Sequence, residues 1–298
     1  MYSQQLVKGL SPYYQSQQVV CSPHSAVQLT PGELNIQLWQ LSDEQVQLSR
    51  QISDRSLYLE PASATGKVRL LMPSGNPKDN AANWCGIATA SDTLLVMPDL
   101  PGFYASPEGW DDLDLTISNE LALSLGIDPS TPHTLSHPDI AGFERNLRAL
   151  LESPAEQAKR GTGWMDQVLE NLRNCVQQAR PSKVLKATTR QQLVERALDY
   201  VRDYQLEYPD MTVEHLSAQV GATSRTLQRA FNQTLGVSPY YFLLYVRLNA
   251  AHDLLQQHTR ESLSVTQVGA DCGFASSSNF IDHYSRFYGK TPLQTLRT

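Results

Sequence analysis

The sequence predicts an α+β chain of more than one domain: a β-rich amino-terminal half, a helical pair, and an all-helical carboxy-terminal third. Three observations carry this. Between about Gln28 and Leu115 the apolar residues come in short runs separated by Gly/Pro turns. After Ile117 the apolar period becomes helical, and the last hundred residues contain one helical unit twice. The length of 298 residues agrees, since at roughly 150 residues per domain it implies about two domains.

In the first part, Leu34, Ile36 and Leu38 alternate with Asn35, Gln37 and Trp39, and Val46-Gln47-Leu48 repeats the pattern. Val68–Met72 and Leu94–Met97 are continuous apolar runs. The turns are Pro31-Gly32, Pro73-Ser74-Gly75-Asn76-Pro77, Pro98, Pro101-Gly102 and Pro107-Glu108-Gly109. Short strands with frequent Gly/Pro turns predict an antiparallel barrel or sandwich. The aromatics Trp39, Tyr58, Trp84, Phe103, Tyr104 and Trp110 are either core or the lining of a pocket.

Two helices follow. Phe143, Leu147, Leu150 and Leu151 share one face of the first. Trp164, Val168, Leu172, Cys175 and Ala179 form a stripe on the second, from about Gly163 to Ala179. Arg180-Pro181-Ser182 breaks that helix, and residues 181–189 read as a linker. Beyond it, Leu193, Ala197, Leu198, Val201 and Tyr204 open the helical third.

In the repeat, Leu216, Ser217, Val220 and Gly221 match Val268, Gly269, Cys272 and Gly273. Leu227, Phe231, Gly236 and Pro239 match Phe280, Tyr284, Gly289 and Pro292 one residue further on. Each copy has the logic of a helix-turn-helix. A small residue (Ser217, Gly269) sits where a second helix crosses closely. A glycine (Gly221, Gly273) ends the first helix because it enters the left-handed region cheaply. Hydroxyls (Thr223-Ser224, Ser276-Ser277-Ser278) cap the second helix. Leu227/Phe231 and Phe280/Tyr284 pin that helix to the core. Arg225, Gln228, Arg229 and Asn232 remain outside, with side chains able to hydrogen-bond base edges. Ser238-Pro239 opens a connecting helix to about Gln257. That rod, roughly 27 Å long at ~1.5 Å per residue, sets two recognition helices about one DNA turn apart.

The net charge of −6 is unevenly placed. Residues 188–298 carry ten Lys/Arg and ten Asp/Glu, so the whole excess lies in residues 1–187. No apolar run approaches the ~18 residues of a membrane span, and the first thirty residues lack a signal-peptide core. These features predict a cytoplasmic protein with no membrane partner. Cys21, Cys85, Cys175 and Cys272 are too far apart for a C-x-x-C pair and read as reduced thiols.

Residues from about Arg190 to Thr298 closely resemble the DNA-binding domain of the arabinose-regulator (AraC/XylS) family of bacterial transcription factors. The resemblance rests on Leu227-Gln228-Arg229-x-Phe231, Gly236-x-Ser238-Pro239 and Arg247-Leu248-x-x-Ala251. It continues in Gly273-Phe274-x-Ser276-x-Ser278-x-Phe280, Tyr284, Gly289-x-x-Pro292 and Arg297. It implies helix-turn-helix units at 212–236 and 265–289 inside a DNA-binding domain of residues 190–298. The base-facing positions it implies are Arg225, Gln228 and Arg229 in the first unit and Ser277, Ser278, Asn279, Asp282 and His283 in the second. Asp282 and Ser285 stand where the family usually has Arg and Lys, which predicts a weaker grip by the second unit.

The amino-terminal half is similar to sensor domains of the same family through Ser91–Pro98 and Pro101-Gly102. Pro31-Gly32, Val46–Arg50 and Trp84-Cys85-Gly86 resemble sensors of the ethanolamine-utilisation regulator type, with no ligand carried over. The family implies a cupin-like β-barrel in residues 1–180 that binds a small effector, and a helical pair at about 140–180 that makes a homodimer. It further implies double-stranded operator DNA as partner, RNA polymerase if the protein activates, and no cofactor.

Two rival readings remain at this stage. Cupin-like barrels can hold metal-dependent enzymes, and the best ligand candidates are His133, His137, Asp128 and Asp139. Three prolines in that stretch prevent a helix from aligning them, His24 is distant, and phosphate loops and G-x-S-x-G elbows are absent. No metal site and no catalytic residue is therefore expected. The other rival is a DNA-binding protein that senses nothing, its β-domain serving only to dimerise.

Overall fold

The computed structural model of the protein describes residues 2–10, 12–13, 23–43, 45–61, 66–74, 83–84, 87–88, 93–98, 103–137, 139–152, 163–184, 188–258 and 263–296. Cys21, Cys85, Ser91-Asp92, Pro101-Gly102 and Arg297 lie outside the described residues.

The amino-terminal half consists of three layers. The larger sheet has the order β1-β3-β4-β11-β6-β9-β12-β13. Its strands are β1 (Tyr2–Lys8), β3 (Asn35–Ser42), β4 (Val46–Ser53), β6 (Lys67–Ser74), β9 (Thr93–Met97), β11 (Trp110–Ser118), β12 (His133–Ser136) and β13 (Arg180–Val184). The smaller sheet, β2-β5-β10-β7-β8, comprises β2 (Pro23–Gln28), β5 (Leu57–Pro61), β7 (Asn83–Trp84), β8 (Ile87–Ala88) and β10 (Tyr104–Ser106). All described pairings are antiparallel. The expected closed barrel is not what these strands form. Among the described residues no ladder joins the two sheets, which face each other as a sandwich.

One face of the larger sheet, carrying Ile36, Leu38, Leu71, Leu95, Met97 and Trp110, meets Leu57, Leu59 and Tyr104 of the smaller one. Its other face, with Leu48, Leu70, Leu113, Leu115 and Ile117, is covered by three helices: α1 (Asn119–Ser124), α2 (Ile140–Glu152) and α3 (Gly163–Gln178). Burial on both faces explains why Trp39, expected on a polar side, is buried: it lies in this second layer under the Arg50 guanidinium. Arg50 and Arg148 together hold Asp111, Glu152 and Glu144, tying α2 to the sheet.

Two expectations are corrected here. The stripe Trp164, Val168, Leu172 and Cys175 was expected to dimerise, yet all four side chains are buried in their own chain against α2 and the sheet. Apolar periodicity marks a face that must be covered without saying by what. The second correction concerns the linker. Its first residues form β13, paired with β12 at Leu135↔Pro181 and Ser136↔Arg180. A proline is compatible with this because β13 is the outermost strand, where one side of the backbone has no ladder to donate to.

The carboxy-terminal third is helical throughout: α4 (Thr189–Tyr204), α5 (Val213–Gln219), α6 (Ser224–Thr234), α7 (Pro239–Gln257), α8 (Val265–Asp271), α9 (Ser277–Tyr288) and α10 (Pro292–Thr295). Thr188 and Gln191 form a capping box at the start of α4. Helix α7 is shared by two cores. Phe242 and Leu243 pack with α4, α5 and α6, whereas Leu244, Leu248, Ala251 and Leu255 pack with α8 and α9. Among the described residues no helix is long and apolar enough to cross a membrane. Cys175 and Cys272 are buried and unbridged.

Candidate nucleic-acid interface

The first unit is built by α5 and α6. Thr212 and Thr223 cap the two helices, their hydroxyls accepting from His215 N at 3.1 Å and Thr226 N at 3.2 Å. Between them Gly221 adopts φ +67°, as the turn requires. Ser217 is buried at the crossing and donates to Ser224 Oγ at 3.3 Å. Leu227, Ala230, Phe231 and Thr234 anchor α6, so Arg225, Gln228, Arg229 and Asn232 are all exposed on its free side. A helix face of this composition offers bidentate donors to guanine and adenine edges and positive charge to phosphates.

The second unit repeats the geometry with tighter contacts. A Cβ on Gly269 would lie 2.9 Å from the Phe280 ring, so the small residue expected there is required by the crossing of α9. Gly273 has φ +78°, and a Cβ on it would sit 2.1 Å from the carbonyl oxygen of Pro209. Ser276 caps α9 through Asn279 N at 3.2 Å, and Phe280 and Tyr284 are fully buried. Ser278, Asn279 and Asp282 are exposed, with Ser277 and His283 partly so. Asp282 is not a lone charge: its Oδ1 lies 3.1 Å from Arg286 Nε one turn on. The acidic residue thus masks the cation that follows it.

Helix α7 spans 19 residues, about 28 Å at ~1.5 Å per residue, close to one DNA turn of ~34 Å. Arg247 clips it to the second unit. Its guanidinium donates to Gly273 O at 3.2 Å and lies over the Phe274 ring. The sequence motif contained Arg247 but gave it no role.

A second set of contacts was not foreseen. Val27, Tyr58 and Ala105 of the smaller sheet, with Leu29 and Phe103 flanking its strands, belong to the same buried cluster as α4, α6 and α7. Asn249 accepts from Gln28 N at 2.9 Å and donates to Gln28 O at 3.3 Å, acting as a surrogate neighbour for edge strand β2. Tyr58 meets Phe242 edge-on at 5.3 Å, Arg202 reaches Glu60 at 3.2 Å, and Gly32 N donates to Phe287 O at 2.7 Å. The hint in the sequence was Asn249, a polar residue between Leu248 and Ala250 on the connecting helix.

The residues weighed as metal ligands are engaged locally. Asp128 accepts from Ser130 and Thr131, which holds its carboxyl down at about 2. His133 Nδ1 lies 2.8 Å from Thr131 O, and His137 Nδ1 accepts from Asp139 N. Among the described residues no group of three or more His, Cys, Asp or Glu converges on a cation-sized site.

Comparison with known proteins bears on the helical third. Residues 216–298 match the family described as a helix-turn-helix domain. The transcriptional regulator ArgR of Pseudomonas aeruginosa is 30% identical over 149 residues, covering 50% of this chain and 44% of that protein. These residues belong to the AraC/XylS family. CdhR of Pseudomonas aeruginosa, another transcriptional regulator, is 37% identical over 86 residues, 29% of this chain and 25% of its own. An AraC-type regulator from Chromobacterium violaceum, of known structure, is 31% identical over 36% of this chain and 91% of that one, with a TM-score of 0.31. The chain spans less than half the length of the curated relatives named here. Those relatives are transcription regulators rather than enzymes. The AraC-type domain of this chain comprises both units and the α7 rod between them.

Proposed function

We propose that the protein is a sequence-specific transcription regulator that reads double-stranded operator DNA through α6 and α9 and is controlled by a small molecule bound in its sheet-rich half. The observation that carries the reading is the pair of helix-turn-helix units on one rigid connector, each presenting an unburied polar face. Effector control is favoured over a β-domain that senses nothing, because the smaller sheet is docked on α4 and α7. A change between the two sheets therefore has a packed route to the rod that spaces the recognition helices. A cupin-like binding role for residues 1–180, a homodimer on DNA and contact with RNA polymerase belong to the same proposal. The dimer needs a surface other than the Trp164 stripe.

The test is to sequence the genomic fragments retained by the purified full-length protein and measure affinity for the enriched site. Arg229→Ala or Gln228→Ala should each cost about 1–3 kcal/mol if the contact is bidentate to a base. A phosphate role for Arg229 would instead weaken all sequences equally. No enriched sequence, or unchanged affinity in both variants, would remove α6 from the reading surface.

A further inference from the structure

The space between the two sheets carries more polar groups than a sandwich core has use for. On β11 the side chains of Trp110, Asp112, Asp114 and Thr116 share the inner face, since Asp112 opposes Gln51 and Asp114 opposes Ser49 and Leu71. Gln40 follows in the same row beside Ser49. The outward neighbour Asp111 is met by Arg50 at 2.8 Å and Arg148 at 2.7 Å. Among the described residues the inner pair has one cation paired with it, Arg69, 3.6 Å from Asp114. Among those residues the face therefore carries one uncompensated negative charge when both carboxyls are ionised.

Four buried polar atoms here make no hydrogen bond among the described residues: Gln40 Nε2, Tyr104 Oη, Trp110 Nε1 and Asp112 Oδ1. Tyr104 is 6% exposed and Trp110 4%. Tyr104 comes from the opposite sheet, its ring 5.9 Å from that of Trp110. Burial, then the charges of Asp112, Tyr13 and Asp114, raise its hydroxyl pKa, which places it at the acidic row. Burial, then the charges of Asp114 and Asp111, lifts Asp112 to about 7, with the Trp110 indole and Arg69 pulling the other way. Unsatisfied buried polar atoms destabilise a fold, so a set of them gathered on one face is unexplained by folding alone. Asp114 and Arg69 keep 16% and 19% of their side chains exposed.

We infer that the space between the sheets is a binding site for a small organic cation, an ammonium or guanidinium group seated on Asp112 against the Trp110 and Tyr104 rings. Asp112 supplies the counter-charge, and the aromatic pair supplies faces that attract a cation. Tyr104 Oη and Trp110 Nε1 supply donors for an oxygen on the same molecule. Asp114 is already engaged by Arg69 and limits the site to one positive group. This inference rests on the reading of the sheet-rich half as an effector domain and names the chemistry of that effector.

The test uses the full-length protein. Thermal unfolding is followed with aliphatic amines of two to six heavy atoms, quaternary ammonium salts and guanidine. Each is paired with the neutral alcohol and the carboxylate of the same size, and magnesium and calcium chloride are included. A cation should raise the melting temperature in a saturable way while its neutral and anionic counterparts do not. Asp112→Asn should weaken that cation at least tenfold while leaving the unliganded melting temperature unchanged or higher, because it removes an unpaired buried charge. Trp110→Phe, which keeps an aromatic face but removes the indole N–H and part of the ring, should weaken it severalfold. Binding of the metal ions alone, or an undiminished response in Asp112→Asn, would overturn the proposal. A neutral or anionic molecule that stabilises the protein and changes DNA affinity would overturn the cation while leaving effector control standing. If no small molecule of any charge shifts a protein that still binds its operator, both readings fall.

Discussion

Replacing Asn249 by alanine tests whether the sheet-rich half is held to the AraC-type domain as the structure shows. The Asn249 amide accepts from Gln28 N at 2.9 Å and donates to Gln28 O at 3.3 Å and to Tyr245 O at 2.7 Å. Gln28 is 2% exposed and Asn249 5%, so water does not reach these groups in the native state. Alanine leaves the N–H and C=O of Gln28 unpaired, each at about 1–3 kcal/mol. The void admits some water, so the expected loss is about 2–4 kcal/mol, or roughly 30- to 700-fold in the docking equilibrium. Asn249→Asp should be no milder: its carboxylate keeps one acceptor, loses the donor, and faces two carbonyl oxygens. Hydrogen exchange at the Gln28 amide should accelerate by the same factor, with urea unfolding giving an independent value. A loss below about 0.5 kcal/mol together with unchanged exchange at Gln28 would refute the reasoning.

Gly273→Ala should destabilise far more than Gly221→Ala, although the two glycines are equivalent in the repeat. The first puts a methyl 2.1 Å from Pro209 O, whereas the second meets nothing within 4 Å and carries only the left-handed penalty of about 1–2 kcal/mol. Equal losses in denaturation would show that the Pro209 contact does not form. Asp282→Arg adds a cation and releases Arg286, so log affinity for non-specific duplex should steepen against log salt by about one to two units. An unchanged slope would take α9 off the DNA. His252 is buried against Tyr288 and Tyr284, and burial lowers its pKa to about 4. The unfolded chain binds that proton near ~6.5, so this group removes up to about 3 kcal/mol of stability as pH falls from ~6.5 to ~4. Asp253, raised to about 6 by burial, has the opposite sign over pH ~6 to ~4. Urea midpoints of Asp253→Asn should therefore fall more steeply with acid than those of the wild type, and His252→Gln should abolish the fall.

The helical third was legible because its information is local. Helix-period spacing, Thr and Ser caps and left-handed glycines fix both units within about 25 residues each, and the anchors Leu227, Phe231, Phe280 and Tyr284 are buried where the pattern put them. The candidate reading residues of the first unit followed by subtraction, as the face its anchors leave exposed, and those of the second from the family resemblance. The short strands were legible for the same reason, through alternation and turns. Tertiary structure decided what each apolar face packs against. The stripe Trp164–Cys175 and the docking residues Val27, Tyr58 and Phe103 have ordinary core patterns, and their partners lie many residues away. It also decided which way Asp111 and Asp112 point. Adjacent in sequence, they differ because a strand sends successive side chains to opposite faces. One faces two arginines and the other the opposite sheet, since register against β4 and β6 and the helices over one face are set by long-range pairing that no local pattern encodes.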